Sequence, residues 1–142
     1  WLVRQPEFYD VVVVPNMFGD IVTDLASALQ GGMGMAASAN IGEEHMLFEP
    51  VHGSTPKRAG KGQVNPIAML SSVQLMFEWL GRRKEDPDAT IVSQIVESAI
   101  EELIAKGNPL TYDLGGSAST SEVSSAICKS VSEKLKSHYN NA

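Results

Sequence analysis

Two aspartates spaced four residues apart are the first residues of this chain whose types and spacing could do chemistry. Asp20 and Asp24 follow an apolar run of four valines at residues 11–14. Residues four apart on a helix project from one side, so the two carboxylates could bind one Mg²⁺ or Mn²⁺ ion, which prefers oxygen ligands. Carboxylates near a helix N-terminus also act as caps and are favoured by the macrodipole, so the spacing alone leaves both roles open.

A loop rich in glycine and proline comes next, with one histidine and two adjacent cations. His52, Gly53 and Pro56 belong to this loop, and Lys57 and Arg58 follow. Glycine lets a backbone approach a ligand closely, while lysine meets a phosphate as a point charge and arginine as a fork. The loop therefore indicates a site for a phosphorylated nucleotide, although surface loops that bind nothing have a similar composition.

Residues 32–37 fit a loose version of the dinucleotide fingerprint G-x-G-x-x-A. That fingerprint has to lie between a strand and a helix, because the pyrophosphate binds at the N-terminus of the helix. Here the stretch follows a predicted helix, so we interpret it as unrelated to phosphate binding. The sequence has no G-x-S-x-G pattern around its serines and gives no support to a serine hydrolase.

Composition and charge bound the class of protein. The chain has 142 residues, of which 43% are hydrophobic and 20% are charged, as is typical of a soluble globular domain. A net charge of −6 argues against general nucleic-acid binding. No apolar run is long enough to span a membrane. The single cysteine, Cys128, excludes an internal disulfide, favours a reducing, cytoplasmic compartment, and is predicted to be buried in an apolar stretch.

The elements that must position these residues are predicted to alternate between strands and helices. Residues 11–14 are typical of a strand buried on both faces of a parallel sheet. Residues 20–30 predict a helix that ends at Gly31. Residues 46–48 form a candidate short strand in front of the histidine loop. This order indicates an α/β layer arrangement.

Three further helices are predicted in the second half of the chain. They cover residues 65–80 with Gly81 as the end, residues 88–106, and residues 121 to about 138. A turn-rich connector at residues 110–116 joins the last two. One strong strand is too few for a complete doubly wound domain. We therefore expect the chain, which starts at Trp1, to be a portion of a longer protein.

Taken in order, these motifs resemble one family, the metal-dependent β-decarboxylating dehydrogenases of isocitrate, 3-isopropylmalate, homoisocitrate and tartrate. The resemblance is carried by residues 16–24 with 31–35, residues 47–54 with Asn65 and Pro66, and residues 110–116. It covers essentially the whole chain. It implies that residues 1–142 form the C-terminal portion of this α/β fold, with part of the metal site and the adenosine loop, while the N-terminal portion is absent.

The resemblance also implies a role for each candidate residue. Asp20 and Asp24 would be ligands of Mg²⁺ or Mn²⁺. The cofactor-binding residues would be Glu49, His52, Gly53, Ser54, Pro56, Lys57, Arg58, Asn65 and Tyr112, with His52 and Asn65 near the adenine. The catalytic residues would precede Trp1, so we assign none within the chain and expect no dehydrogenase activity from the chain alone.

Cofactor choice depends on the charges near the adenosine ribose. By resemblance, members that prefer NAD carry an acid where Lys57 stands, which accepts a hydrogen bond from the 2′-hydroxyl and repels a 2′-phosphate. Lys57, Arg58 and the phenol of Tyr112 favour a 2′-phosphate, so we expect NADP, with NAD as the alternative. Gly115 and Gly116 are a departure, because bacterial NADP-dependent isocitrate enzymes have a further basic residue in that stretch. Arg58 is a second departure from the family pattern, since an aromatic or aliphatic residue is usual at that position.

The activity that the resemblance implies is the oxidative decarboxylation of a 2-hydroxy acid with a 3-carboxylate. Hydride passes to the nicotinamide, and the β-keto acid then loses CO₂ while the metal stabilises the enolate. We expect isocitrate first and 3-isopropylmalate second, because Lys57 is unlike isopropylmalate enzymes; homoisocitrate and tartrate remain alternatives.

The expected partners are a small acid substrate and a second copy of the protein. The resemblance implies a homodimer with shared active sites and no nucleic-acid or membrane partner. The alternative from another class is a non-catalytic regulatory subunit. Such a subunit would be free to lose its site residues, so the presence of Asp20, Asp24 and His52 favours an enzyme.

Overall fold

The computed structural model describes residues 1–140. The helices and strands are α1 (Phe18–Leu29), β1 (Ala37–Ile41), β2 (Met46–Pro50), α2 (Ile67–Lys84), α3 (Pro87–Lys106) and α4 (Thr120–Asn140). Short 3₁₀ turns lie at Pro6–Phe8, Pro56–Arg58 and Tyr112–Leu114. No helix within the described residues is both long and apolar enough to cross a membrane.

The hydrophobic core lies among the last three helices. Helices α2 and α3 pack along each other, and α4 packs on α3. The buried apolar side chains of this core are Ile67 from α2, Val96, Ala99, Ile100 and Leu103 from α3, and Val123 and Ile127 from α4. All three predicted helices of the second half are confirmed. Cys128 was predicted to be buried, which is wrong: it is exposed, because Ile127 takes the core-facing position and the next residue points away.

The connection between α2 and α3 corrects one expected helix end. Gly81 does not end α2, which continues to Lys84 and ends where Glu85 adopts the left-handed conformation. Gly81 is instead buried against α3, and a Cβ at this position would clash with the side chain and backbone of Thr90. Asp86 then caps α3, since its carboxylate accepts hydrogen bonds from the backbone N–H groups of Asp88 and Ala89.

The sheet of the described residues is an antiparallel pair. In β1 and β2, Ala37 lies opposite Pro50 and Ile41 opposite Met46. Both strands pack on α2, and the ring centroids of Phe48 and Trp79 are 6.4 Å apart. Strand β2 confirms the candidate strand at residues 46–48. Strand β1 was not predicted, because alanine, serine and asparagine are weak strand formers.

The strand predicted at residues 11–14 is wrong. These residues have no regular structure, and Val11 and Val13 are 78% and 91% exposed. A strand needs a neighbour to satisfy its backbone N–H and C=O groups. Within residues 1–140 the sheet consists of β1 and β2 alone, and the valine run pairs with neither strand.

Candidate functional site: two adjoining clefts

Helix α1 carries the two aspartates. Asp20 lies in the first turn and Asp24 one turn later, and both are exposed. The hydroxyls of Thr23 and Ser27 donate to the carbonyl oxygens of Gly19 and Asp24 at 3.0 and 2.7 Å, so they stay on the helix backbone. Within residues 1–140, neither aspartate caps the helix with its carboxylate. Capping is therefore not supported, whereas Asp20 lies in the first turn, where the helix macrodipole favours a carboxylate.

A first cleft of about 730 Å³ extends from α1 to the histidine loop. Its polar lining includes Asn16, Asp20 and Thr23 on one side and Ser38, Asn40, Glu49 and His52 on the other. The Nδ2 group of Asn40 donates to Oε1 of Glu49 at 3.1 Å, from one strand of the hairpin to the next. The carboxylates of Asp20 and Glu49 thus line one cleft, while Asp24 lies one turn further along α1.

A second cleft of about 560 Å³ adjoins the first at the histidine loop. His52 and Gly53 line both clefts. Residues that line only the second include Gly32, Gly34, Ser54, Thr55, Asn65, Tyr112 and Asp113. Nδ1 of His52 lies 2.9 Å from the carbonyl oxygen of Gly53. A proton on Nδ1 donates to that oxygen and leaves Nε2 as an acceptor.

The cationic part of the loop contacts the later turn directly. The guanidinium carbon of Arg58 lies 4.0 Å from the ring centroid of Tyr112, a cation–π distance. Pro56 and Lys57 are exposed and belong to the same 3₁₀ turn as the partly buried Arg58, and none of these three residues lines either cleft. The Arg58–Tyr112 pair thus brings a positive charge beside the second cleft.

A polar network of two buried residues and the exposed Asp113 forms one end of the second cleft. Asn65 is buried, and its Nδ2 group donates to Oδ2 of Asp113 at 3.0 Å. Its Oδ1 accepts from the backbone N–H of Ile67 at 2.9 Å, at the start of α2. Thr111, also buried, donates to Oδ1 of Asp113 at 2.5 Å. Both polar atoms of the Asn65 amide are therefore bonded to the protein.

The donor set fits a divalent metal only in part. Mg²⁺ is commonly held by one or two carboxylates, and water and substrate oxygens complete its coordination. Asp20 and Asp24 match such a partial set, since both are exposed and on one side of α1. No cluster of three or more His, Cys, Asp or Glu side chains that could hold a metal is found in residues 1–140. A metal on this pair thus needs further oxygen ligands besides the two carboxylates, as from water or substrate.

The structure brings most of the predicted site residues to these two clefts. Asp20 and Glu49 line the first, Ser54, Asn65 and Tyr112 the second, and His52 and Gly53 both. Sequence reasoning did not select residues 31–34, Thr55 or Asp113 for the second cleft. The stretch 32–37 follows α1 and leads into β1, so it is no strand-to-helix fingerprint, as predicted. Its glycines were nevertheless a signal of close packing around a cleft.

Comparison with known proteins gives a consistent result. The family model described as isocitrate/isopropylmalate dehydrogenase matches residues 1–127. A homoisocitrate dehydrogenase of Methanocaldococcus jannaschii is 42% identical over 96% of this chain and 37% of its own length. The 3-isopropylmalate/3-methylmalate dehydrogenase of that organism is 45% identical over 94% of this chain and 38% of its own. The isocitrate/homoisocitrate dehydrogenase of Thermus thermophilus is 44% identical, over 96% and 37%.

Solved structures show the same likeness. The crystal structure of isocitrate dehydrogenase from Methylococcus capsulatus has a TM-score of 0.83 and 42% identity, over 92% of this chain and 37% of that one. The apo form of a β-decarboxylating dehydrogenase from Thermococcus kodakarensis has a TM-score of 0.78 and 36% identity, over 95% and 38%. The predicted α/β fold is thereby confirmed. The chain spans little more than a third of the length of the relatives it matches.

Proposed function

This chain belongs to the isocitrate/isopropylmalate dehydrogenase family, and on this premise we propose that it supplies the nucleotide cleft and two metal-binding carboxylates of a β-decarboxylating dehydrogenase. The observation that carries the proposal is the junction of the two clefts at His52 and Gly53. One cleft contains a carboxylate of the aspartate pair, and the other is bounded by the histidine loop and the 112–114 turn. A dinucleotide in the second cleft would point its reactive end toward the first.

The proposed reaction is the oxidative decarboxylation of a 2-hydroxy acid with a 3-carboxylate. When bound, the dinucleotide would supply the hydride acceptor, and the divalent metal would supply a Lewis acid for the substrate oxygen that becomes a carbonyl. Asp20 and Asp24 would hold the metal. The partly buried His52 would pack beside the adenosine, with Gly53 and Ser54 offering backbone groups. The groups that bind the acid and move its protons would come from outside this chain.

We propose NADP rather than NAD as the cofactor. The support is the Arg58 guanidinium on the Tyr112 ring, which holds a planar cation next to the second cleft. A guanidinium can form two parallel hydrogen bonds to a phosphate, so it favours a dinucleotide with a 2′-phosphate. The exposed Lys57 in the same turn adds a second positive charge nearby.

Isocitrate is the first proposed substrate and 3-isopropylmalate the second. The names of the relatives include isocitrate, homoisocitrate and 3-isopropylmalate dehydrogenases, so they support the class of acid rather than one member. A homodimer with shared active sites and a cytoplasmic location are also proposed, both on the family resemblance.

The test is dinucleotide reduction by the full-length protein that contains this chain. NADP and NAD are offered with Mn²⁺ and either isocitrate or 3-isopropylmalate, and one of the acids is expected to be turned over. Asp24→Asn should abolish this activity and weaken Mn²⁺ binding measured by calorimetry. Asp10→Asn, an exposed aspartate outside both clefts, is the matched control and should change neither. The isolated 142-residue chain should show no turnover.

Two results would count against the proposal. A folded full-length protein without activity on either acid, with or without Mn²⁺, would favour a non-catalytic subunit. Turnover by the isolated chain would show that the chain carries catalytic groups that we have not assigned.

A further inference from the structure

Asp113 lies at the end of the second cleft where three segments meet: the 112–114 turn, the start of α2 at Asn65, and the glycine stretch at residues 31–34. Its Oδ2 accepts from Asn65 at 3.0 Å and its Oδ1 accepts from Thr111 at 2.5 Å. Asn65 in turn receives the backbone N–H of Ile67, the first residue of α2. One carboxylate therefore ties the 112–114 turn to the start of a core helix.

The third segment is the glycine stretch at residues 31–34. A Cβ on Gly34 would lie 2.7 Å from Oδ2 of Asp113 and 3.0 Å from Cβ of Asn65, closer than side chains normally pack. The carbonyl oxygen of Gly34 also accepts from the backbone N–H of Ala68 at 2.9 Å, in the first turn of α2. The stretch thus rests directly on the Asn65–Asp113 pair, and the fit requires glycine at this position.

The Asp113 residue is exposed, but its carboxylate accepts hydrogen bonds from two buried side chains at this end of the cleft. Both of its donors, Asn65 and Thr111, belong to buried residues, at 7% and 1% exposure. Hydrogen bonds to an ionised acceptor are about twice as strong as those between neutral groups. If the carboxylate were removed, buried Thr111 would lose this partner and the Nδ2 group of Asn65 would keep only its weak contact to the Met35 sulfur at 3.7 Å. The 112–114 turn would be left with its backbone hydrogen bonds and the packing of Leu114 against the core.

Tyr112, the residue before Asp113, provides the ring on which the Arg58 cation stacks. Tyr112 is 46% exposed, so burial does little to fix its ring. Its position follows from the turn on which it lies, and Asp113 anchors that turn. The Arg58 guanidinium stacks on this ring at 4.0 Å. A shift of the turn therefore moves the ring and the cation together.

We propose that Asp113 is a positioning residue that, through Tyr112, places the Arg58 guanidinium for recognition of a 2′-phosphate. The inference rests on the proposed function. Its effect has to be indirect, because a carboxylate in contact with the phosphate would repel it. Removal of Asp113 should thus impair the dinucleotide that has a 2′-phosphate more than the one that lacks it.

The experiment measures Kd for NADP and NAD by calorimetry, together with KM and kcat, in the full-length protein and in its Asp113→Asn and Asp113→Ala variants. The two Kd values are expected to shift as the two KM values do. For Asp113→Ala, KM for NADP should rise on the order of tenfold more than KM for NAD, with kcat nearly unchanged. Asp113→Asn keeps the volume and one acceptor, so a smaller shift in the same direction is expected. Glu133→Gln, which removes one negative charge from the exposed side of α4, is the control and should leave both KM values unchanged.

A second arm tests the route through Arg58. In an Arg58→Ala background, Asp113→Asn should no longer change the ratio of the two KM values, because residues that act through one another give non-additive effects. Equal rises of KM for NADP and NAD would overturn the inference. So would an Asp113→Asn variant that changes the ratio of the two KM values as much in the Arg58→Ala background as in the unaltered protein. If Asp113→Ala does not fold, Asp113→Asn decides.

The unaltered protein separates this inference from the proposed function. If it reduces neither dinucleotide, the proposed function fails and the inference fails with it. If it reduces NAD well and NADP poorly, the dehydrogenase function stands, while the role of Asp113 in placing Arg58 for a 2′-phosphate is overturned.

Discussion

The contact between Arg58 and Tyr112 joins two segments that are far apart in the sequence. Both residues were predicted to favour a 2′-phosphate, each from its own motif, but no local pattern predicts that they touch. Arg58 also stands where the resembling family usually has an aromatic or aliphatic residue. Its planar guanidinium can stack on a ring as an aromatic side chain does, so the departure is compatible with a packed turn.

Substitution of Tyr112 should separate the role of the ring from that of the hydroxyl. Tyr112→Phe keeps the stacked face and should retain NADP affinity. Tyr112→Leu should weaken the free energy of NADP binding by about 0.5–1 kcal/mol, which raises Kd roughly two- to fivefold. The measurement is calorimetric titration of NADP into the full-length protein, with NAD as the reference ligand. Equal weakening by Phe and Leu would assign the effect to the hydroxyl instead. Arg58→Lys, which keeps the charge without the plane, should resemble Tyr112→Leu.

Asp113 shows why part of the site could not be predicted. Asp20, His52 and Asn65 belong to motifs whose order along the chain identifies them. The function of Asp113 depends on which amide faces it, and that partner, Asn65, is 48 residues away in the sequence. A contact at this separation is formed by the fold, so only the structure reveals it.

At the scale of elements, the helices were predictable, whereas of the strands only β2 was predicted. The boundaries of α3 and α4 follow from apolar periodicity and from caps such as Asp86, which are local signals. Strand β1 and the misassigned run at residues 11–14 depend on whether a partner edge is present, which is a non-local property. The prediction that Gly81 ends α2 was wrong for a related reason, because a glycine at a helix end and a glycine that lets a neighbouring helix approach look alike in sequence.

Gly81→Ala is therefore expected to destabilise the protein even though alanine favours helix. Propensity would contribute about 0.5–1 kcal/mol in favour of the variant. The added Cβ would clash with Thr90, and such overpacking costs about 1–3 kcal/mol. Thermal unfolding of the full-length protein should show a lower Tm. Ser132→Ala, at an exposed position of α4, is the control with a propensity gain and no clash, and it should not lower Tm.

The start of α4 contains a reciprocal cap that makes its stability depend on pH. The Glu122 carboxylate accepts from the backbone N–H of Ser119 at 2.8 Å and from its hydroxyl at 2.7 Å, while the backbone N–H of Glu122 donates to that hydroxyl at 3.2 Å. The backbone hydrogen bond first, and the hydroxyl second, lower the pKa of Glu122 below its ordinary value of 4.5. The contribution of this carboxylate is thus fully present above pH 4.5 and is lost as pH falls through the lowered pKa.

Glu122→Ala should accordingly destabilise the first turn of α4 at neutral pH and have little effect in strong acid. The measurement is amide hydrogen exchange of that turn, comparing variant and unaltered protein at the same pH. The difference should be constant from pH 8 to about 5.5 and should shrink below the ordinary value of 4.5. A difference that does not depend on pH would mean that the carboxylate charge contributes nothing. Glu133→Ala, further along the same helix, controls for general loss of charge.

At the scale of the whole molecule, α1 differs from the other helices. Its apolar side chains at Phe18 and Ile21 are 56% and 63% exposed, and Leu25 and Leu29 are about half exposed. Within residues 1–140, the extensive helix packing involves α2, α3 and α4, and α1 takes no part in the core that they form. The helix that carries the aspartate pair therefore lacks the burial that stabilises a helix in water.

Hydrogen exchange should report this difference between the chain alone and the full-length protein. In the isolated chain, amides of α1 should exchange far faster than those of α3, because local opening requires little loss of packing. In the full-length protein, α1 should become protected if additional chain covers Phe18 and Ile21, and the aspartate pair would then be held in place. Ile21→Ser tests the cause: it should leave the isolated chain unchanged but lower the protection of α1 in the full-length protein. If α1 is protected equally in both, its order is intrinsic, and the aspartate pair is preformed without the rest of the protein.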